Sequence, residues 1–161
     1  MPSRRPPAPI LIPRNRGFFI PELMTYEDAK DQIKLDEGLR LELYRCSKDK
    51  LTIGYGWNIE DNGIPQEVAD LLFEHSFKAA TEDAAKFIGA MAWSQLNETR
   101  RGVLINMAFN LGLPTLRAFK RFRHYVQQGD YEKAANEMID SAWYRQVGDR
   151  AKRLEQQMRN G

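Results

Sequence analysis

A chain of 161 residues can build one domain with a sizeable core, or two small lobes sharing a helix. Its 42% hydrophobic and 29% charged content is ordinary for a globular protein. The single cysteine excludes an internal disulfide and suits a reducing compartment. No apolar run approaches the ~20 residues needed to span a bilayer, and the proline-broken basic start lacks the apolar stretch of a secretory leader. Charge is uneven. Residues 1–22 carry four Arg against one Glu, residues 23–93 eight basic against fourteen acidic groups, and residues 94–161 twelve against seven. A basic second half points to an anionic partner, with peptidoglycan carboxylates, lipopolysaccharide and nucleic acid all eligible.

In chain order, residues 1–22 read as an irregular Arg/Pro-rich arm, interrupted by an apolar Phe18–Phe19–Ile20 cluster expected to pack on the body or meet a partner. Thr25 with Asp28 three residues on resembles a capping box and predicts a helix over Tyr26–Glu37, ended by Gly38. Leu41–Cys46 and Thr52–Tyr55 are short strand candidates around a Ser-Lys-Asp-Lys loop. Gly63 and Pro65 open a long helix from Gln66 to about Ile88, with Val68, Leu71, Leu72, Phe77, Ala80 and Ala84 at helical spacing. Asn97 is the N-cap of a helix closed by Gly112, and Pro114 reopens helix through Gln128. Further helices are expected at Tyr131–Asp140, around Trp143, and from Asp149. The expected class is α+β and predominantly helical, with no internal repeat.

Glu37, at the negative end of the first helix, is a candidate proton donor, because the helix dipole there disfavours its ionised form. Cys46 and Thr52 add a thiol and a hydroxyl on the adjoining hairpin, and Gly54 and Gly56 leave room for a close approach to the backbone. Cleaving a glycosidic bond needs a donor at the leaving oxygen and a second group that aims water or attacks the sugar. The hairpin register tests this reading. With a four-residue loop Cys46 pairs with Leu51 and Thr52 faces away; a shared face requires a loop of Ser47–Leu51, or a bulge that shifts the register.

The spacing Glu37-x8-Cys46-x5-Thr52, continued as Thr52-Ile-Gly-Tyr-Gly56 and preceded by Gly38-Leu-Arg-Leu41, resembles the catalytic region of phage-type lysozymes of glycoside hydrolase family 24. Arg100-Arg101-Gly-Val-Leu-Ile-Asn-Met-Ala-Phe-Asn-Leu-Gly112 and Ser141-Ala-Trp143-Tyr144 with Arg150-Ala-Lys152-Arg153 are similar to two further family segments. The resemblance spans about residues 27–160. It implies a lysozyme-like two-lobed fold with a small β-hairpin lobe: arm 1–22 and catalytic domain 23–161, the latter divided into a front lobe of about 23–64, a linking helix of about 65–88 and a helical lobe of about 89–161. It assigns Glu37 as general acid, Cys46 to the position where the family pattern has Asp, Thr52 to hold the attacking water, and Gly56 and Phe109 to the sugar site. Asp49 is an alternative to Cys46. Trp143 is expected in the core, and Arg150 and Arg153 either meet peptide carboxylates or stay solvated. The pattern departs from the family at Trp57, where a His is usual, and in the short Trp57–Pro65 stretch, so the front lobe is expected to lack part of its sheet and a small helix.

The implied activity is a muramidase that hydrolyses the β-1,4 bond between N-acetylmuramic acid and N-acetylglucosamine with inversion, in phage-mediated lysis of a bacterial host. A lytic transglycosylase on the same bond and a non-catalytic cationic wall- or membrane-binding protein stand as alternatives. His75 and His124 match no metal-ligand spacing, and neither a metal nor an organic cofactor is expected. The partner is peptidoglycan, with an anionic or outer-membrane surface as a second contact and no nucleic acid. The protein is expected to be a monomer made in the host cytoplasm without a signal peptide, acting in the periplasm after holin-type release.

Overall fold

The computed structural model describes residues 25–161, so the arm and its Phe18–Ile20 cluster lie outside the described residues. The chain divides into two compact units, one ending at Gly63 and one covering Ile64–Gly161, and it is α+β with helix predominating.

The first unit opens with α1, Tyr26–Glu37. Both halves of the predicted capping box form: the Thr25 hydroxyl accepts from Asp28 N–H at 3.1 Å, and the Asp28 carboxylate accepts from Thr25 N–H at 2.8 Å. Gly38 ends the helix with φ 69° and ψ 146°, a combination only glycine holds without strain, and its N–H returns to the Lys34 carbonyl at 3.0 Å. The chain is thereby thrown straight into β1, Arg40–Arg45, which pairs antiparallel with β2, Leu51–Gly54. Along β1 the residues Leu41–Leu43 face Ile53 alone, so the strand bulges between the Arg40–Gly54 and Tyr44–Thr52 pairs.

The short stretch after Trp57 holds more structure than expected. Trp57–Asn58 form a third strand, β3, paired with β2, and Ile59–Asn62 form a one-turn helix, α2, capped by the Asn58 side chain. The Trp57 indole N–H bonds the Gly63 carbonyl at 2.7 Å and pins the return of the chain. The expectation that this stretch lacks a small helix is therefore corrected: Asn58 supplies a cap, and Glu60 and Asp61 suit the first turn of a helix.

The second unit is all helix among its described elements: α3 (Gln66–Ile88), α4 (Ala90–Gln95), α5 (Glu98–Leu116), α6 (Lys120–Gln127), α7 (Tyr131–Ile139), α8 (Ala142–Val147) and α9 (Asp149–Asn160). Its core holds Phe87, Ile88, Leu104, Met107, Leu116, Phe122, Met138, Trp143 and Met158, all buried. Each such large side chain contributes about 1.5–3 kcal/mol by leaving water. The core begins at Ala80 and Ala84 on α3; Val68, Leu71, Leu72 and Phe77, predicted from the same periodicity, are exposed. Gly112 breaks α5 with φ 70° where the sequence predicts a stop, but the helix resumed at Pro114 lasts only to Leu116, and α6 starts afresh at Lys120.

Several helix ends are closed by side chains from elsewhere in this unit. Arg100 donates to the carbonyls of Met158 (2.9 Å) and Arg159 (3.2 Å) at the end of α9 and lies over the Tyr131 ring. Arg101 does the same for Trp93 and Ser94 at the end of α4. The Gln127 amide donates to the last carbonyl of α3, that of Ile88, at 2.8 Å. The terminal carbonyls of a helix have no partner of their own and carry partial negative charge, so a guanidinium answers both needs.

Candidate active site

The geometry rests on the turn after β1. Cys46 N–H donates to the Lys50 carbonyl (3.0 Å) and Asp49 N–H to the Cys46 carbonyl (2.9 Å), so the loop is Ser47–Asp49, three residues rather than four. Asp49 takes the left-handed position with φ 60°, which aspartate tolerates better than most residues, and this closes a three-residue hairpin turn. Tyr44 then pairs with Thr52. Cys46, two residues beyond Tyr44, lies on the same face as Thr52. The expected pairing of Cys46 with Leu51 is corrected, and neither the longer loop nor the β1 bulge is needed for a shared face.

Thr52 is the one buried side chain among the described residues of the first unit, at 2% exposure. Its hydroxyl donates to the Lys50 carbonyl at 2.9 Å, which commits the proton and leaves the oxygen lone pairs free to accept. The half-buried Cys46 thiol is held below its ordinary pKa, first by the Lys48 backbone amide, then by the Lys50 amide and the Thr52 hydroxyl. Because the one Thr52 proton already serves Lys50, the two amides are the firmer cause.

Glu37 is exposed at the end of α1. Gly56 sits in the turn between β2 and β3 with φ 83°, and a Cβ there would stand 3.2 Å from Glu37 Oε2. The room left by this glycine is occupied by the carboxylate. Asp49, the alternative to Cys46, is exposed, and Arg45 bonds its carbonyl at 2.7 Å and faces its carboxylate at 3.5 Å. The turn thus gives that aspartate a structural role.

The sequence reading missed an ionic cluster beside the hairpin. Glu60 Oε2 accepts the Leu51 N–H at 2.9 Å, and Lys50 Nζ lies 2.8 Å from Asp61 Oδ1 and 3.6 Å from Glu60 Oε1. The Leu51 amide foremost, then Lys50, hold the Glu60 carboxyl below the usual range, while Lys50 chiefly and the Asn58 amide do so for Asp61. The legible signal was Asn58 with acids two and three residues on, a one-turn cap that sequence reading passes over because so short a helix has no periodicity.

In the second unit Phe109 is 45% exposed and leans on Phe73, ring centroids 5.8 Å apart. Trp143 is buried as expected, its indole N–H on Asn110 Oδ1 at 2.8 Å. Arg150 is half-buried, and its Nε–H donates to Asn106 Oδ1 at 2.8 Å. Arg153 is exposed. Among the described residues no group of His, Cys, Asp and Glu is arranged to hold a metal ion, and no helix is long and apolar enough to cross a membrane.

A predominantly helical chain with a small antiparallel sheet, and with a thiol and a hydroxyl on one face of that sheet, falls in the lysozyme-like α+β class. The phage lysozyme family model matches residues 34–160, and the chain belongs to that family. It is 28% identical over 151 residues, 77% of its length, to the pre-baseplate central spike protein Gp5 of Enterobacteria phage T4, and spans 26% of that much longer protein. It is also 26% identical over 152 residues to each of two probable T4-type lysozymes of Dictyostelium discoideum, covering 78% of this chain and 89% of theirs. Membership makes the protein a lysozyme-type glycosidase that acts on peptidoglycan.

Proposed function

We propose that the protein is a muramidase that hydrolyses the β-1,4 linkage between N-acetylmuramic acid and N-acetylglucosamine with inversion at the anomeric carbon. The observation that carries this reading is the common face of Cys46 and Thr52 beside a turn that seats the Glu37 carboxylate. Glu37 protonates the leaving oxygen, Thr52 accepts a hydrogen bond from the attacking water, and Cys46 stands where the family pattern has Asp, on the face the sugar approaches. Gly56 keeps Glu37 clear of the turn and Phe109 offers a sugar an apolar ring.

The biological setting is lysis of a bacterial host. The protein is made in the cytoplasm, reaches the wall through a holin-type opening and works as a monomer, with its basic helices in contact with anionic envelope surfaces. Residues 23–161 form the catalytic domain, with α3 as the helix that links its lobes.

The test is turbidity loss of purified sacculi together with mass spectrometry of the released muropeptides. Wild type is expected to yield reducing ends, and Glu37→Gln to lose at least ~100-fold in rate, as general acids contribute on that scale. Anhydro ends identify a transglycosylase instead, and full lysis by Glu37→Gln identifies a non-enzymatic protein.

A further inference from the structure

We propose that Glu60 is a positioning residue for this reaction, acting through the Lys50–Leu51 peptide on the Thr52 hydroxyl and on Cys46. The inference rests on the site reading given above. The last pair between β2 and β3 is Thr52 with Asn58, and one step further the Leu51 N–H points where β3 has already turned into α2. No strand carbonyl stands there. Glu60 Oε2 takes that place at 2.9 Å, so a charged acceptor ends the ladder.

The carbonyl of the same peptide group, that of Lys50, accepts both the Cys46 N–H at 3.0 Å and the Thr52 hydroxyl at 2.9 Å. One peptide thus joins Glu60 to both hairpin members of the site. A carboxylate on its N–H side fixes the peptide plane and makes its carbonyl a stronger acceptor, because chained hydrogen bonds polarise one another. The Thr52 proton then stays on Lys50, and its lone pairs remain presented to water. Glu60 is itself held: Lys50 Nζ reaches over to it, and Asp61 anchors Lys50 while accepting the Asn58 amide at 2.9 Å. Ion pairs this exposed contribute little stability, so the cluster acts through geometry.

The experiment is a double-mutant cycle on purified sacculi, with Cys46 alkylation by iodoacetamide as a readout independent of activity. Glu60→Ala is expected to lower kcat ~10-fold at nearly constant KM, as small displacements of reacting groups do. Glu60→Gln, whose amide oxygen can still accept from Leu51, should recover to within ~3-fold of wild type. In a Thr52→Ala background Glu60→Ala should cost clearly less than in wild type, leaving only the part that runs through Cys46. Alkylation of Cys46 near neutral pH should slow ~2-fold in Glu60→Ala and recover in Glu60→Gln, whether or not Thr52→Ala leaves measurable activity. An equal loss in both backgrounds, a loss confined to KM, or an unchanged alkylation rate overturns the inference. Full activity of Thr52→Ala alone overturns the site reading itself, which is a separate result.

Discussion

Glu37 Oε2 stands 3.2 Å from the point where a side chain at Gly56 would begin, so the acid and the turn share one space. Gly54, the last residue of β2 with φ 69°, has nothing within 4 Å of its own Cβ position. The two glycines therefore separate backbone strain from displacement of the acid. Gly54→Ala and Gly56→Ala should each cost about 1–2 kcal/mol for the left-handed backbone. Only Gly56→Ala should lose activity beyond its lost stability. Thermal melts beside sacculus assays check this, and equal activity in the two variants would remove Gly56 from the site.

Cys46 gives a pH prediction with a definite sign. Its folded pKa is depressed, chiefly by the Lys48 amide, so ionisation favours the folded state. That contribution is present above the unfolded thiol pKa and disappears as pH falls through the folded value. The half-point of iodoacetamide alkylation should accordingly lie at lower pH in the native protein than in urea. Cys46→Asp, ionised throughout the neutral range, should hold its activity to lower pH than wild type, whereas Cys46→Ser should be poor at every pH.

Thr52 is buried, and its hydroxyl has a partner within the hairpin. Thr52→Val keeps the shape and removes the oxygen. The stability cost should be about 1 kcal/mol, since Lys50 still receives the Cys46 N–H. Activity should fall by ~100-fold or more if the hydroxyl aims water. Thr52→Ser should stay within ~10-fold of wild type on the same scale. Urea titration and initial rates measure the two effects separately.

Arg100 provides a contrast from the second unit. It closes the end of α9 and stacks over Tyr131 at 3.7 Å. Arg100→Ala should destabilise by about 2–3 kcal/mol through the lost charged hydrogen bonds and ring contact. Activity per folded molecule should stay unchanged, as read by denaturation midpoint and active-fraction-corrected rate.

Phe109 is half exposed and supported by Phe73. Phe109→Ala should lower kcat/KM on sacculi ~10-fold, about 1.4 kcal/mol, with little change in melting temperature. A fall in melting temperature without a kinetic effect would make Phe109 a packing residue.

Helix boundaries with side-chain or glycine chemistry were legible in the sequence: the Thr25–Asp28 box, Gly38, Asn97 and Gly112 all act where their residue types require. α4 was not, because Ala90–Gln95 is too short for periodicity and begins without a side-chain cap. Nor was the break at Arg117–Phe119, which no proline or glycine marks. Spacing placed Val68, Leu71 and Leu72 correctly on a helix but could not say what, if anything, would cover them. The hairpin loop was misjudged by one residue, because Ser-Lys-Asp-Lys does not announce which residue goes left-handed. Glu60 escaped because its role replaces a missing strand carbonyl, a vacancy that exists only once the fold is drawn.

The three-residue turn makes the hairpin a parity device. Side chains alternate along a strand with a period of two, so what matters between Cys46 and Thr52 is whether the intervening number of residues is odd or even. Five residues, 47–51, separate them here. A single glycine inserted after Lys48 would preserve every chemical group and send the thiol and hydroxyl to opposite faces, while two would bring them back together. Chain length at this one turn thus works as a switch between an assembled site and a dispersed one, without any change in the residues that compose it.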